Sequence, residues 1–187
     1  DRGFDDSFVG VGGSFNYFRP DQKDFLRNRE IYKPNPDKFY LTDAITDQAI
    51  SFIDDPASKQ RPYFLYVAYT SPHWPLHAHD EDIAKYTGRF DAGWDRLREQ
   101  RLKRLVDDGI MHPNWQLTDR DPTQPPFTEA QHREWTLRCM EVYAAQVDCM
   151  DQGIGRVVAE LKREGQLDNT LLLFLQDNGG AAEVYGR

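Results

Sequence analysis

Two short stretches hold the residue types that can do chemistry. In LLLFLQDNGG, residues 171–180, a largely apolar run ends abruptly on Asp177, Asn178, Gly179 and Gly180. A carboxylate and an amide oxygen are hard donors that suit Ca2+ or Mg2+ and serve Zn2+ poorly. Glycines beside them let the backbone come close to an ion. The same four residues also make an ordinary turn, because Asp, Asn and Gly tolerate left-handed backbone and bond locally. In PYFLYVAYTSPHWP, residues 62–75, a second apolar run ends on His73, stiffened by Pro72 and Pro75. A stiffly held histidine at a strand end can give a proton to a leaving oxygen; a hydrogen-bonded structural histidine is the other reading. His77 and His79 follow at two-residue spacing. They have the type of metal ligands, although loop histidines of this kind more often face solvent.

The elements that must position these groups alternate. Residues 8–20 are rich in glycine and aromatics without a period, as in a loop that forms a pocket wall or a structural turn. Residues 21–38 are broken by Pro34 and Pro36. A helix is predicted in YLTDAITDQAISFIDD, capped by Thr42 or Asp43, with Leu41, Ile45, Ala49, Phe52 and Ile53 on one stripe. Residues 80–109 read as helical to Gly109, with Trp94, Leu97, Leu102 and Leu105 inward and five basic residues from Arg96 to Arg104 on a solvated face. A long loop with Pro113, Pro122, Pro125 and Pro126 follows. The longest helix then starts from a capping-box spacing at Thr128 and Gln131. Its apolar stripe runs from Met140 through Tyr143, Ala144, Val147, Met150, Ile154, Val157 and Val158 to Leu161. Gly153 and Gly155 mark a bend or a close approach within it.

Residues 63–69 and 171–175 are continuous apolar runs, the pattern of strands covered on both faces. Together with the helices they predict an α/β fold, a mostly parallel sheet flanked by helices. Open sheets of this type bind ligands at the carboxyl ends of their strands. His73 and the Asp177-Asn178 pair both stand at such ends, which favours a site over a turn.

The 187 residues suffice for one domain with a core. With 39% hydrophobic and 29% charged residues, the chain fits a soluble globular protein. A net charge of −8 without a basic, aromatic-interleaved run argues against nucleic acid as a partner. No apolar stretch reaches membrane-helix length, and the opening DRGFDDSF has no signal-peptide character. Cys139 and Cys149 are ten residues apart in a helical pattern, about 15 Å along a straight helix. That is too far for a disulfide, and both read as packing thiols.

SPHWPLHAHDEDIAKYTGRFDAGWDRLREQRLKRL and VYAAQVDCMDQGIGRVVAELKREGQLDNTLLLFLQDNGG resemble the type I sulfatases, the arylsulfatase branch of the alkaline phosphatase superfamily. DRGFDDSFVGVGGSFNYFRP and FYLTDAITDQAISFI resemble the same family. The resemblance implies a sulfuric ester hydrolase with one Ca2+ and a formylglycine nucleophile made in a C/S-x-P/A-x-R motif. It implies that His73 contacts sulfate and helps the ester oxygen leave, and that Asp177 and Asn178 are calcium ligands. Gln176 departs from the usual Ser or Thr, and Cys149 stands where a basic residue is usual. The nucleophile motif does not occur in the 187 residues. The resemblance therefore implies that residues 1–187 are the central part of a single sulfatase catalytic domain, truncated at both ends, and inactive alone. A sulfate-ester small molecule or a sulfated glycan is the implied substrate. A periplasmic, secreted or lysosome-like compartment is implied; the sequence leaves the oligomeric state open.

Two other functions compete. A phosphodiesterase or phosphonate hydrolase of the same superfamily would show Asp-His-Gly where this chain has Asp177-Asn178-Gly179; imidazole favours Zn2+, amide oxygen Ca2+. A non-catalytic binding fragment that kept the fold is the second. The presence or absence of the nucleophile motif upstream of Asp1 separates it from an enzyme.

Overall fold

The computed structural model describes residues 3–12, 15–21, 23–176 and 178–179. A small antiparallel sheet comes first, with β1 at Phe8–Gly10, β2 at Phe25–Arg27 and β3 at Glu30–Ile31 in the order β1-β2-β3. Phe8 pairs with Arg27 and Gly10 with Phe25, while Leu26 pairs with Ile31. The β2–β3 turn holds Asn28 and Arg29 at positive φ, 49° and 71°. Two positive-φ residues give the twist a two-residue hairpin needs, and asparagine tolerates the conformation. Asn28 also fastens the turn to the strand beside it: Ser7 N–H donates to its Oδ1 at 2.7 Å, and its Nδ2 donates to Asp6 Oδ1 at 2.6 Å. This hairpin lies in the region that the prolines mark as irregular.

Two long helices form the frame. Helix α1 spans Leu41–Ile53, and after the short α2 (Pro56–Gln60), α3 (Asp80–Ala84) and α4 (Gly93–Asp107), helix α5 spans Arg133–Arg163. Single 3-10 turns sit at Phe127–Glu129 and Leu167–Asn169. The α1 stripe runs as predicted at Leu41, Ala49 and Ile53, with Ala44, Thr42 and Thr46 also buried. Thr42 and Asp43 do not cap the helix. Its N-cap is Tyr40, and the first N–H, that of Leu41, is taken by the Tyr17 carbonyl at 2.8 Å. An orphan donor at a helix end has thus found a backbone partner from a distant segment.

The α5 face differs from the apolar stripe in the sequence. The buried positions are Glu141, Ala145, Gln146, Cys149, Gly153, Val157 and Leu161, while Met140, Tyr143 and Val147 are exposed. Small residues set this choice, because they let α1 come close. A Cβ on Gly153 would fall on Thr46 Oγ1 well inside contact distance and reach 3.1 Å from Tyr69 Oη. The close approach predicted at Gly153 is present, and α5 runs through it. The expected capping box is not formed; α5 begins after His132, which sits at φ 52°. The helix predicted across 80–109 is two helices. Gly93 separates them at φ +75°, and any side chain there would collide with the Phe127 ring. Helices α4 and α5 both end on glycines at positive φ, Gly109 and Gly165.

The mostly parallel sheet is not formed among the described residues. Residues 62–70 and 171–176 form neither helix nor strand among the described residues. Strand identity needs a second edge about 4.8 Å away, and neither run has one here. Leu65 and Val67 pack on the Ala49, Ile53, Val157 and Leu161 cluster, and Tyr69 bonds Thr46 Oγ1 at 2.9 Å. The alternate residues Phe64 and Tyr66 are exposed. An aromatic cluster of Phe15, Tyr17, Phe25, Phe39, Tyr40 and Leu41 joins the small sheet to α1. No described helix is long and apolar enough to cross a membrane.

Candidate active site

The first apolar run ends in a turn in which His73 N–H donates to the Thr70 carbonyl at 2.9 Å. The Ser71–Pro72 and Trp74–Pro75 peptide bonds are cis. His73 is exposed, and its Nδ1 lies 2.7 Å from the Trp74 carbonyl. A carbonyl oxygen only accepts, so Nδ1 carries the proton in this bond. Nε2 is then the nitrogen that exchanges a proton with whatever meets the exposed ring.

The turn is tied from below. Ser71 is buried and its Oγ donates to the Gln146 carbonyl of α5 at 3.2 Å. The Tyr17 hydroxyl donates to the His73 carbonyl at 3.2 Å. Further along, Tyr17 N–H donates to His77 Nδ1 at 3.3 Å, and the Tyr40 hydroxyl donates to the His77 carbonyl at 3.0 Å. His79 packs on the Tyr40 and Phe18 rings, with centroids 4.6 and 5.1 Å away. Ala78 between them is buried against Ile83 and Ala145. His77 and His79 are therefore half-buried packing and hydrogen-bonding residues, and not solvent-facing ones.

Burial pushes the Tyr17 phenol up, against a counter-effect from the nearby Thr70, Gln146 and Ser71 side chains. It pushes Tyr40 up too, with further help from Cys149. Both hydroxyls stay protonated and remain donors. Burial pulls His77 below its ordinary value, which suits a neutral ring whose Nδ1 accepts. Gln146 is fully buried, and neither of its amide atoms reaches a partner with good bond geometry; the Thr42 and Thr70 hydroxyls are likewise unpartnered. These orphaned groups make a polar layer under the His73 turn.

Asp177 and Gly180 lie outside the described residues. Asn178 is exposed and its Nδ2 donates to the Gly179 carbonyl at 2.7 Å. Its other side-chain atom is an amide oxygen, the donor type a hard cation takes. By donor chemistry the pair Asp177 and Asn178 fits Ca2+. Residues 171–176 leading to them are exposed throughout.

Asp54, Glu160 and Glu164 are the one acidic group among the described residues with spacing that suits a cation. Protein cations already fill it: Lys59 contacts Glu164 at 2.7 Å and Asp54 at 3.4 Å, while Arg163 contacts Asp54 at 2.8 Å, Glu164 at 2.8 Å, and Glu160. This is a clamp between helix ends. Cys139 and Cys149 are free. Burial, aided by Asp82, pushes the Cys149 thiol up to about 12, and its Sγ donates to Asp82 Oδ2 at 3.0 Å. Lys85 bridges Asp82 and Asp148 at 2.6 and 3.0 Å beside it. A thiol held protonated in this way packs α3 on α5 and is no nucleophile.

Sequence reasoning singled out His73 and passed over Tyr17, Tyr40 and Gln146, which hold its turn. The signal for the tyrosines was present: aromatic residues crowd FNYFRP and KFYL, on either side of a region without helical period. Nothing in a single sequence marks Gln146, which sits on a helix among many polar residues.

The sequence pattern of the Sulfatase family matches residues 1–186. The chain is 35% identical over 190 residues to an arylsulfatase of Klebsiella aerogenes, covering 96% of this chain and 40% of that protein. It is 34% identical over 204 residues to an uncharacterised sulfatase of Schizosaccharomyces pombe, covering 98% of this chain and 36% of the relative. The chain thus spans well under half the length of these relatives. Among solved structures it is similar to Ps i-CgsB in complex with k-i-k-neocarrahexaose, with TM-score 0.54 and 28% identity, over 90% of this chain and 31% of that one.

Proposed function

Because the chain belongs to the sulfatase family, whose pattern spans residues 1–186, we propose that the gene product carrying it hydrolyses sulfate esters and that this chain supplies the leaving-group side of the site. The observation that carries the reading is the exposed His73 ring, with Nδ1 committed to the Trp74 carbonyl. When the ring has taken up a second proton and is imidazolium, its Nε2–H protonates or hydrogen-bonds the departing alkoxide or phenoxide and the ring returns to the Nδ1–H form. Fixing Nδ1–H on a carbonyl leaves Nε2 as the one ring atom that takes up the second proton and gives it away. Residues 1–187 are then the middle of one catalytic domain, and residues 63–69 and 171–175 are strands of its mostly parallel sheet, with both chemical ends at one edge. Asp177 and Asn178 would hold Ca2+ at that edge; the bound ion supplies positive charge against the sulfate oxygens. The nucleophile, a formylglycine in the family, is not among these residues. A sulfated glycan fits as substrate class, since the similar structure of Ps i-CgsB is in complex with k-i-k-neocarrahexaose. A periplasmic, secreted or lysosome-like compartment goes with this assignment.

The test is turnover of aryl sulfates and aryl phosphate diesters by the gene product. Asn178 in place of a histidine predicts preference for the sulfate. His73→Ala should lower kcat by about 10²–10⁴-fold for esters with poor leaving groups, and far less for nitrophenyl sulfate. An unchanged kcat across the leaving-group series removes His73 from the chemistry.

A further inference from the structure

Tyr17 uses every hydrogen-bonding group it has on two elements. Its carbonyl accepts from Leu41 N–H at the start of α1, its N–H donates to His77 Nδ1, and its hydroxyl donates to the His73 carbonyl. The residue is 1% exposed and belongs to the aromatic cluster with Phe15, Phe25 and Tyr40. Its ring is therefore fixed by packing and its three polar groups by partners. Ordinary core tyrosines satisfy one hydroxyl; this one connects a helix end to two of the three histidines of residues 70–79.

We propose that Tyr17 is the positioning residue for His73: its hydroxyl pins the His73 carbonyl, and so keeps the imidazole where Nδ1 meets the Trp74 carbonyl. Besides the ring's own bond to the Trp74 carbonyl, two further bonds tie the turn near His73 among the described residues. One is its own bond from His73 N–H to Thr70, and the other is the buried Ser71 hydroxyl on the Gln146 carbonyl. Both act on residues before the ring or on its amide side. Tyr17 alone among the described residues holds the carbonyl between His73 and Trp74, the atom next to the peptide whose oxygen the ring uses. Without it, rotation of that peptide would release Nδ1 and let the ring exchange tautomers. The inference rests on the role given to His73 above.

The experiment uses the gene product and two buried-hydroxyl deletions. Tyr17→Phe should lower kcat about tenfold for poor leaving groups, the order expected for a misplaced catalytic group, with KM within about twofold. In the His73→Ala background Tyr17→Phe should cost nothing further. Tyr40→Phe, which loses the bond to the His77 carbonyl, should show no leaving-group dependence. A read-out free of turnover is the imidazole nitrogen spectrum of His73: one tautomer, protonated at Nδ1, in the parent, and a mixture in Tyr17→Phe. An equal loss for all leaving groups, a further loss without His73, or the same signature in Tyr40→Phe would each make Tyr17 merely structural. An unchanged His73 spectrum in Tyr17→Phe also overturns the assignment, whatever the activity. No effect of His73→Ala, with a changed spectrum in Tyr17→Phe, sinks the role of His73 and leaves the positioning contact standing.

Discussion

The two apolar runs, residues 63–69 and 171–176, look alike in the sequence and differ in the molecule. The first lies on α1 and α5: Leu65, Val67 and Tyr69 reach inward, and its end is tied down by Tyr17, Tyr40 and Gln146. The second is exposed along its whole length, with Leu171, Leu173, Phe174 and Leu175 all more than two-thirds bare. One run has a helix pair to alternate against; the other is exposed on both faces among the described residues. Apolar content therefore gives a segment the capacity to be a strand, and a neighbour makes it one. The end of the first run carries an ordered candidate group, His73. The end of the second carries Asn178, exposed, with its Nδ2 donating to the Gly179 carbonyl.

Three measurements test that contrast. The largest effect concerns activity. The 187-residue chain alone should show no turnover of an aryl sulfate with or without Ca2+, many orders of magnitude below the gene product, because catalytic groups act as a unit. Calcium-dependent turnover by the purified chain would show that the bare run is seated after all, and that a nucleophile lies among these residues. The next effect is on stability in the same chain. Leu65→Ala should cost about 1–2 kcal/mol, below the 2–5 of a fully buried leucine because Leu65 is half covered. Leu173→Ala should stay within about 0.5 kcal/mol and should reduce self-association, since bare apolar strands invite pairing between copies. Equal costs in denaturant titrations would erase the difference between the runs.

The smallest effect is a pH slope in the tied turn. Burial lowers the folded pKa of His77, so the unfolded chain binds this proton first as pH falls. The contribution is complete above about 6.5, the unfolded value. It erodes as pH drops below that value and levels off once the folded ring is protonated. Protonation also costs Nδ1 its role as acceptor for Tyr17 N–H. His77→Ala should flatten the fall in melting temperature between about pH 7 and 5, while being less stable at pH 7. A parent slope unchanged by the substitution would mean that His77 does not report on this turn.

Much of the frame was legible from residue order. Helical spacing located α1 and α5, glycines at 109 and 165 marked helix ends, and Gly153 marked the close approach of the two helices. The apolar stripe of α5 holds at Val157 and Leu161, which pack on Ala49 and Ile53 of α1, and fails in the first half of the helix, where smaller residues take the inner face. Ala145, Cys149 and Gly153 face inward while Met140, Tyr143 and Val147 do not. The helix across 80–109 is two helices, the second opening at Gly93, where a side chain would strike the ring of Phe127, a residue 34 positions away.

By itself the sequence determined the chemistry on offer: a histidine between prolines, an Asp-Asn-Gly end, two inert cysteines, and the family to which their order belongs. Residue type and local spacing carry that information, because donor chemistry and turn propensity are properties of a few neighbouring residues. Only the tertiary structure decided which groups are held and by what. Tyr17 meets His73 and His77 from some 60 residues away, and no local pattern encodes such a contact. It exists because Tyr17 closes the start of α1, where packing of one aromatic cluster fixes helix, turn and imidazole against each other.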